Sequence, residues 1–370
     1  MDRLGFAPTY FGRFLNGRVE GYLPARPLQL TELSKTSPID FVALIARELA
    51  RMHVLDVQAR GLDRSPLLWG QMERWLDLAT DISFDDPDRD AAKAALVLGN
   101  LPAEIAWLKA QLFGGLAADS DAAGVRPPPP PHENGENCIR SGDQSCRNKN
   151  GRSGDSGGGG GGGDGVGGDD LRSAARFFLA SVVFGHQDLL AGNIIYGEGW
   201  DRVQIIDFEY GGYNYRGFDI ANHFCEHAGF DSDYDKSFPT AATEIHFLRE
   251  YVRATAPELL CAAADKPGAA NGKVATAHGD AVAANGLSAN GGGDNGGGDN
   301  SGSENGGSGG GEAFLGCLKD EVNRWTLASH LFWGIWAVIQ AKYSPIDFDF
   351  LSYSGRRLSG YTRHKQLFFG

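Results

Sequence analysis

The chain has 370 residues, room for two ordinary domains, but 53 glycines gathered mostly into two tracts mean that much of its length builds no core. A net charge of -13 and a pI near 5.1 give no positive field to hold a polyanion, which argues against a nucleic-acid partner and for a small soluble one. The five cysteines, Cys138, Cys146, Cys225, Cys261 and Cys317, form no CxxC pair and no zinc-ligand spacing, as expected in a reducing compartment.

Asp2 and Arg3 open the chain without an apolar run behind them, so no signal peptide is expected. Thr9 to Phe14 and Arg18 to Leu23 are short apolar and aromatic runs joined through Asn16-Gly17, a pair that predicts a type I′ hairpin. Ser37-Pro38 then offers an N-cap and a first-turn proline. Ile39, Val42, Ile45, Ala46, Leu49 and Met52 follow at helical spacing up to His53. Trp69 to Leu78 and Ala91 to Phe113 predict two more helices, the second stopping at Gly114-Gly115.

From Ala117 to Asp170 the sequence passes from a proline run through polar residues to the unbroken glycines 157 to 163, and Ala262 to Gly311 is similarly poor in core-forming residues. Such segments are expected to be disordered surface insertions, since long loops add little closure cost. Between the two tracts, Phe177 to Phe184 and Val203 to Asp207 are expected to be buried strands flanking the loop His186 to Asn193. After the second tract, Phe314 to Gln340 is apolar around most of its circumference and predicts a buried helix that floors a pocket. Its most apolar stretch, Leu331 to Ile339, is shorter than the roughly 20 residues that cross a bilayer, so stable membrane insertion is not expected.

The central pattern is Phe184-Gly-His186-Gln-Asp188-Leu-Leu-Ala-Gly-Asn193 followed by Ile205-Ile-Asp207-Phe-Glu209-Tyr210. Phosphoryl transfer to a hydroxyl needs a carboxylate for the acceptor proton and cations for the phosphate oxygens. Asp188 suits the first role. Asn193, five residues on, and Asp207 offer hard oxygens suited to Mg²⁺. His186 is placed in the catalytic loop, chiefly as its brace. Arg216 and Asp219 are expected to pair and steady that loop. For Glu226, capture of an ammonium group and plain solvation weigh about equally; Trp333 and Trp336, three apart, share a helix face, and core packing weighs above a cation wall.

With those residues in view, the chain resembles the choline/ethanolamine kinases. The resemblance lies in His186 to Asn193, in Ile206 to Phe224 and in Ala328 to Lys342, and it extends more faintly over most of the chain outside the tracts. Glu226-His-Ala-Gly229 and Ile346-Asp-Phe-Asp-Phe-Leu351 are more similar to the ethanolamine members.

The resemblance implies an α+β, protein-kinase-like fold with a mostly helical large lobe and only a remnant of the small β lobe. Residues 1–29 would be that remnant and the hinge, 30–116 a helical part of the large lobe, and 117–172 an insertion. The catalytic and metal-binding core would span 173–261, a second insertion 262–312, and the helical substrate-pocket region 313–370. It implies Asp188 as base, Asn193 and Asp207 on Mg²⁺, and Glu226, Trp333 and Trp336 around the ammonium group. Tyr22 and Leu23, at the hinge, would touch ATP. The activity implied is phosphorylation of ethanolamine by a cytoplasmic enzyme that admits a homodimer. A choline kinase and a binding module without catalysis are the alternatives.

Two departures are expected to matter, Gln187 where the family usually has Asn and His227 where it usually has an aromatic residue. The second is expected to alter the cation pocket. The family's nucleotide loop and basic strand lie upstream of the hairpin, so the expectation is a chain truncated at its N-terminus that turns over weakly or not at all.

Overall fold

The computed structural model describes residues 1, 4–57, 62–114, 168–261 and 309–370. Most of both expected insertions lies outside the described residues. At their far edges, helix α5 (Gly168–Ala180) and helix α10 (Gly309–Tyr343) have already begun, so residues 168–172 and 309–312 are helical.

The chain opens on an antiparallel hairpin of β1 (Tyr10–Phe14) and β2 (Gly17–Glu20). Phe14 pairs with Gly17, so the connecting pair is Leu15-Asn16, and neither of these nor Gly17 has a positive φ. The type I′ turn expected at Asn16-Gly17 is therefore not formed. A Cβ at position 17 would stand 2.6 Å from Cζ of Phe14, an exposed ring free to turn aside.

Strand β3 (Arg26–Pro27) precedes helix α1 (Phe41–His53), whose N-cap is Asp40. The Asp40 carboxylate accepts from the Ala43 amide at 2.9 Å, three residues later than the expected cap at Ser37. Helix α2 spans Leu68–Asp81. The single helix expected over 91–113 is two, α3 (Pro87–Ala95) and α4 (Leu101–Phe113). Val97 at φ 51, a short 3-10 turn at Leu98–Asn100 and Pro102 in the first turn of α4 separate them.

Phe177 to Phe184 is also not one strand. Ala175, Phe178 and Leu179 are buried at helical spacing in α5, and only β4 (Val182–Gly185) is extended. β4 pairs with β7 (Gly212–Tyr215), while β5 (Ile194–Tyr196) lies between β3 and β6 (Gln204–Ile205), all antiparallel. The helices that follow are α6 (Arg216–Glu226), α7 (Tyr234–Ser237), α8 (Ala241–Thr255), α9 (Glu258–Cys261), α10 and α11 (Phe350–Phe369).

Helix α10 is the axis of the body, packing against α11, α6, α5 and α2. Phe314, Leu318, Val322, Trp325, Leu331 and Ile335 are all but inaccessible along it, as its all-round apolar sequence requires. No helix among the described residues is long and apolar enough to cross a membrane.

Candidate active site

Two connections, each crossing between the two small sheets, meet at the site. The loop after β4 carries His186, Asp188 and Asn193 into β5, and the segment after β6 carries Asp207 and Glu209 into β7. The Ile206 amide donates to the Asn193 carbonyl at 2.9 Å, locking the two segments together. His186 is fully buried and held neutral by that burial; its Nε2–H donates to the Ile206 carbonyl at 2.9 Å while Nδ1 accepts from the Asp188 amide at 3.3 Å. Both ring nitrogens are thus committed to backbone, an arrangement that positions the loop.

Asp219, at the start of α6, is the second fixture. Its carboxylate is wholly buried and accepts from the amides of His186 (2.8 Å) and Gln187 (2.6 Å) and from Nε2 of His53 (2.9 Å). Burial alone would push this carboxyl up, but the His53 bond and the amides outweigh it and hold it below the usual range. The fit is close enough that a Cβ on Gly185 would lie 2.9 Å from Asp219 Oδ2. The expected Arg216–Asp219 pair is not the brace: Arg216 lies over the Phe178 ring at 3.9 Å, and His53 takes the carboxylate.

Asn193 Nδ2 donates to the Asp188 carbonyl (2.8 Å) and to Asp188 Oδ2 (3.0 Å), which leaves its Oδ1 as the atom for a cation. Asp188 is pushed up to about 8, first by burial, then by the charge of Glu226, with Asp207 and Glu209 adding to it. Gln187 and Asp207 both sit in the left-handed region, at φ 68 and 62, an uncommon and costly conformation for these residues that recurs at functional sites. The Gln187 amide donates to the Tyr210 carbonyl at 2.8 Å and its Oε1 accepts from Asn214 at 2.8 Å, tying β7 to the loop.

Asp207 opens onto a cavity of about 1290 Å³ whose wall includes Tyr22, Leu23, Phe208 and Glu209. No cluster of three or more His, Cys, Asp or Glu side chains fit to hold a metal occurs among the described residues. Magnesium does not need one: it keeps waters and shares substrate phosphates with one or two protein oxygens, and the residues that could supply those here are Asp207, through its carboxylate, and Asn193, through Oδ1.

On the other side stands an aromatic wall. Trp333 and Trp336 meet edge to face at 5.2 Å, Tyr210 packs on Trp333 at 5.2 Å, and the Trp336 indole donates to the Tyr210 hydroxyl at 3.0 Å. Trp333 is buried and Trp336 only partly so. Glu226 closes α6, buried, with Oε1 accepting from Arg357 at 3.2 Å; burial raises its carboxyl and Arg357 opposes the rise. His227 is spent on His223, Phe224 and the Ser34 hydroxyl.

The structure therefore brings Asp188, Asn193 and the Ile206-Asp207 segment together by hydrogen bonds, and lines one cavity with Asp207, Tyr22 and Leu23. Sequence reasoning missed His53 and Arg357, which reach the site from 166 and 131 positions away, and Tyr210, which lay in plain view beside Glu209.

The profile of a family described as choline/ethanolamine kinase matches residues 1–119 and 169–362. A probable ethanolamine kinase of Arabidopsis thaliana is 26% identical over 369 residues, covering 100% of this chain and 67% of that protein. Choline kinase alpha of Mus musculus is 24% identical over 374 residues, covering 97% of this chain and 57% of its own. The solved ethanolamine kinase of Plasmodium vivax superposes with a TM-score of 0.58 at 20% identity, over 97% of this chain and 69% of that one. That likeness shows the fold, protein-kinase-like, helix-rich and with few strands.

Proposed function

The chain belongs to the choline/ethanolamine kinase family, and from that premise we propose that it moves the terminal phosphoryl group of ATP onto the hydroxyl of ethanolamine. The observation that carries this reading is geometric: Asn193 Nδ2 donates to Asp188 Oδ2 at 3.0 Å, and the Ile206 amide, next to Asp207, donates to the Asn193 carbonyl at 2.9 Å, which keeps the three residues together. An amino alcohol is a hydroxyl and an ammonium two carbons apart, and in this reading Asp188 meets the first and Glu226 the second.

Asp188 takes the hydroxyl proton as the new oxygen–phosphorus bond forms and ADP departs. Burial holds its carboxyl up, to about 8, so its ionised form is a stronger proton acceptor than an ordinary carboxylate. His186 contributes by fixing the loop through its two backbone bonds. Asn193 Oδ1 and the Asp207 carboxylate would hold Mg²⁺, which when bound supplies charge for the phosphate oxygens. Tyr22 and Leu23 would line the nucleotide's side of the cavity.

The Arg357 bond falls on Glu226 Oε1, so Oε2 is the oxygen left to accept an ammonium N–H. Trp333, Trp336 and Tyr210 present aromatic rings to the same cation, worth about 0.5–2 kcal/mol per contact. A primary ammonium has three donors that need acceptors, and that is why ethanolamine is preferred to choline in this reading. The reaction would stand first in a route to phosphatidylethanolamine in the cytoplasm.

The test is phosphorus NMR of the purified protein with Mg-ATP and equal ethanolamine and choline, over incubations long enough for the weak turnover expected of this chain. Phosphoethanolamine should dominate, and Asp188→Asn should slow it about 10³-fold. Product formed at the wild-type rate by Asp188→Asn removes the mechanism, and a dominant phosphocholine peak reverses the substrate assignment.

A further inference from the structure

Arg357, in the middle of α11, is the largest fully buried side chain among the described residues. A guanidinium withdrawn from water is costly unless its donors are met, so what meets them is informative. Nη1 donates to Glu226 Oε1 (3.2 Å) and to the Tyr353 hydroxyl (3.4 Å), and Nη2 donates to Ser329 Oγ at 2.5 Å. Ser329 passes its own hydrogen to Asn222 Oδ1 at 2.7 Å. The same oxygen receives the Trp333 indole N–H at 2.8 Å, and the Asn222 amide donates to the Gln187 carbonyl, inside the catalytic loop, at 2.9 Å.

We propose that Arg357 is a positioning residue for the phosphoryl acceptor, fixing Glu226 so that its second oxygen meets the substrate ammonium and, through Ser329 and Asn222, holding that oxygen in register with Trp333 and the catalytic loop. This rests on the amino-alcohol reading of the site. A plain structural staple would explain the burial of Arg357, but it gives no reason for the relay to end on the two elements that face the acceptor. Without the guanidinium, Glu226 would be a lone buried carboxylate, better off protonated than ionised, and so a poor partner for an ammonium group.

The experiment uses calorimetry of ethanolamine on the full chain, with steady-state kinetics alongside, for wild type, Arg357→Met, Arg357→Lys and Ser329→Ala. Arg357→Met should weaken ethanolamine binding about 100-fold and leave the KM for ATP within about twofold. Arg357→Lys, which keeps the charge and loses the fork, should recover about a tenth of that loss in affinity or more. Ser329→Ala removes no charge and should lower kcat/KM for ethanolamine by about three- to tenfold, again without moving the KM for ATP; it decides the matter if Arg357→Met does not fold.

Folded Arg357→Met with wild-type ethanolamine affinity, equal losses for ethanolamine and ATP, or an unchanged Ser329→Ala would each overturn the role. Failure here is separable from failure of the site reading: a wild type that binds no ethanolamine ends both, whereas a wild type and an Arg357→Met that bind it equally end only this one.

Discussion

On the proposed acceptor side, Glu226, Trp333, Asn222 and Ser329 are buried and joined through Arg357 by hydrogen bonds that run into the loop at Gln187, while on the proposed nucleotide side Tyr22 is 89% exposed on a chain leaving a two-stranded hairpin. The first side is held by α6, α10 and α11 around a shared core; the second fronts a cavity of about 1290 Å³. A small cation needs fixed acceptors and aromatic faces, because it brings little area of its own. A nucleotide brings area and charge and can be met by a more open wall. The two sides should therefore differ in how strongly a single substitution is felt.

The largest expected effect is at Asp219. Asp219→Ala leaves the amides of His186 and Gln187 and the His53 N–H without their buried acceptor, at a cost of about 3–5 kcal/mol in urea unfolding. Leu15→Ser at the exposed hairpin tip should stay within about 0.5 kcal/mol. If the two changes cost the same, the contrast between a braced and a lightly held side is wrong.

Acid should act on the same braced side next. His223 donates from Nδ1 to the Leu189 carbonyl beside Asp188, and burial lowers it to about 4. A folded pKa below the unfolded value of about 6.5 means that the unfolded chain binds the extra proton between those limits, so stability is complete above about 6.5 and falls as pH drops towards 4. His223 alone should remove about 2 kcal/mol between pH 7.5 and 5. His364, also lowered by burial to about 4, adds to the slope. His223→Gln retains a donor for Leu189 and should flatten the decline by about that amount in chemical denaturation at the two pH values. An unchanged slope would mean that the proton is taken elsewhere.

What could be foreseen from the chain divides along a similar line. Asp188, Asn193 and Asp207 lie within 20 residues, so their spacing alone brought the chemistry into view, and Trp333 with Trp336 needed only the period of a helix. His53 and Arg357 could not be seen, because nothing local says that a histidine ending α1 or an arginine within α11 will meet a carboxylate on α6. Arg216 was the nearer cation to Asp219 in sequence, but as the first residue of its helix it turns to the Phe178 ring. Turn and boundary errors had the same origin. Gly17 has no positive φ, and 177–184 changes from helix to strand within a run whose only polar residue is Ser181.

The smallest effect is expected at Tyr22, and it bears most directly on the open wall. Its ring lines the cavity but stays exposed, so contact with a nucleotide buries only part of it and orders a side chain that was free before. Tyr22→Ala should raise the KM for ATP about two- to fivefold, roughly 0.5–1 kcal/mol, and leave the KM for ethanolamine where it was. Steady-state kinetics with each substrate varied in turn would separate these. A tenfold or greater rise for ethanolamine would mean that the hairpin side reaches the acceptor after all, and a flat response to both substrates would place the nucleotide away from Tyr22.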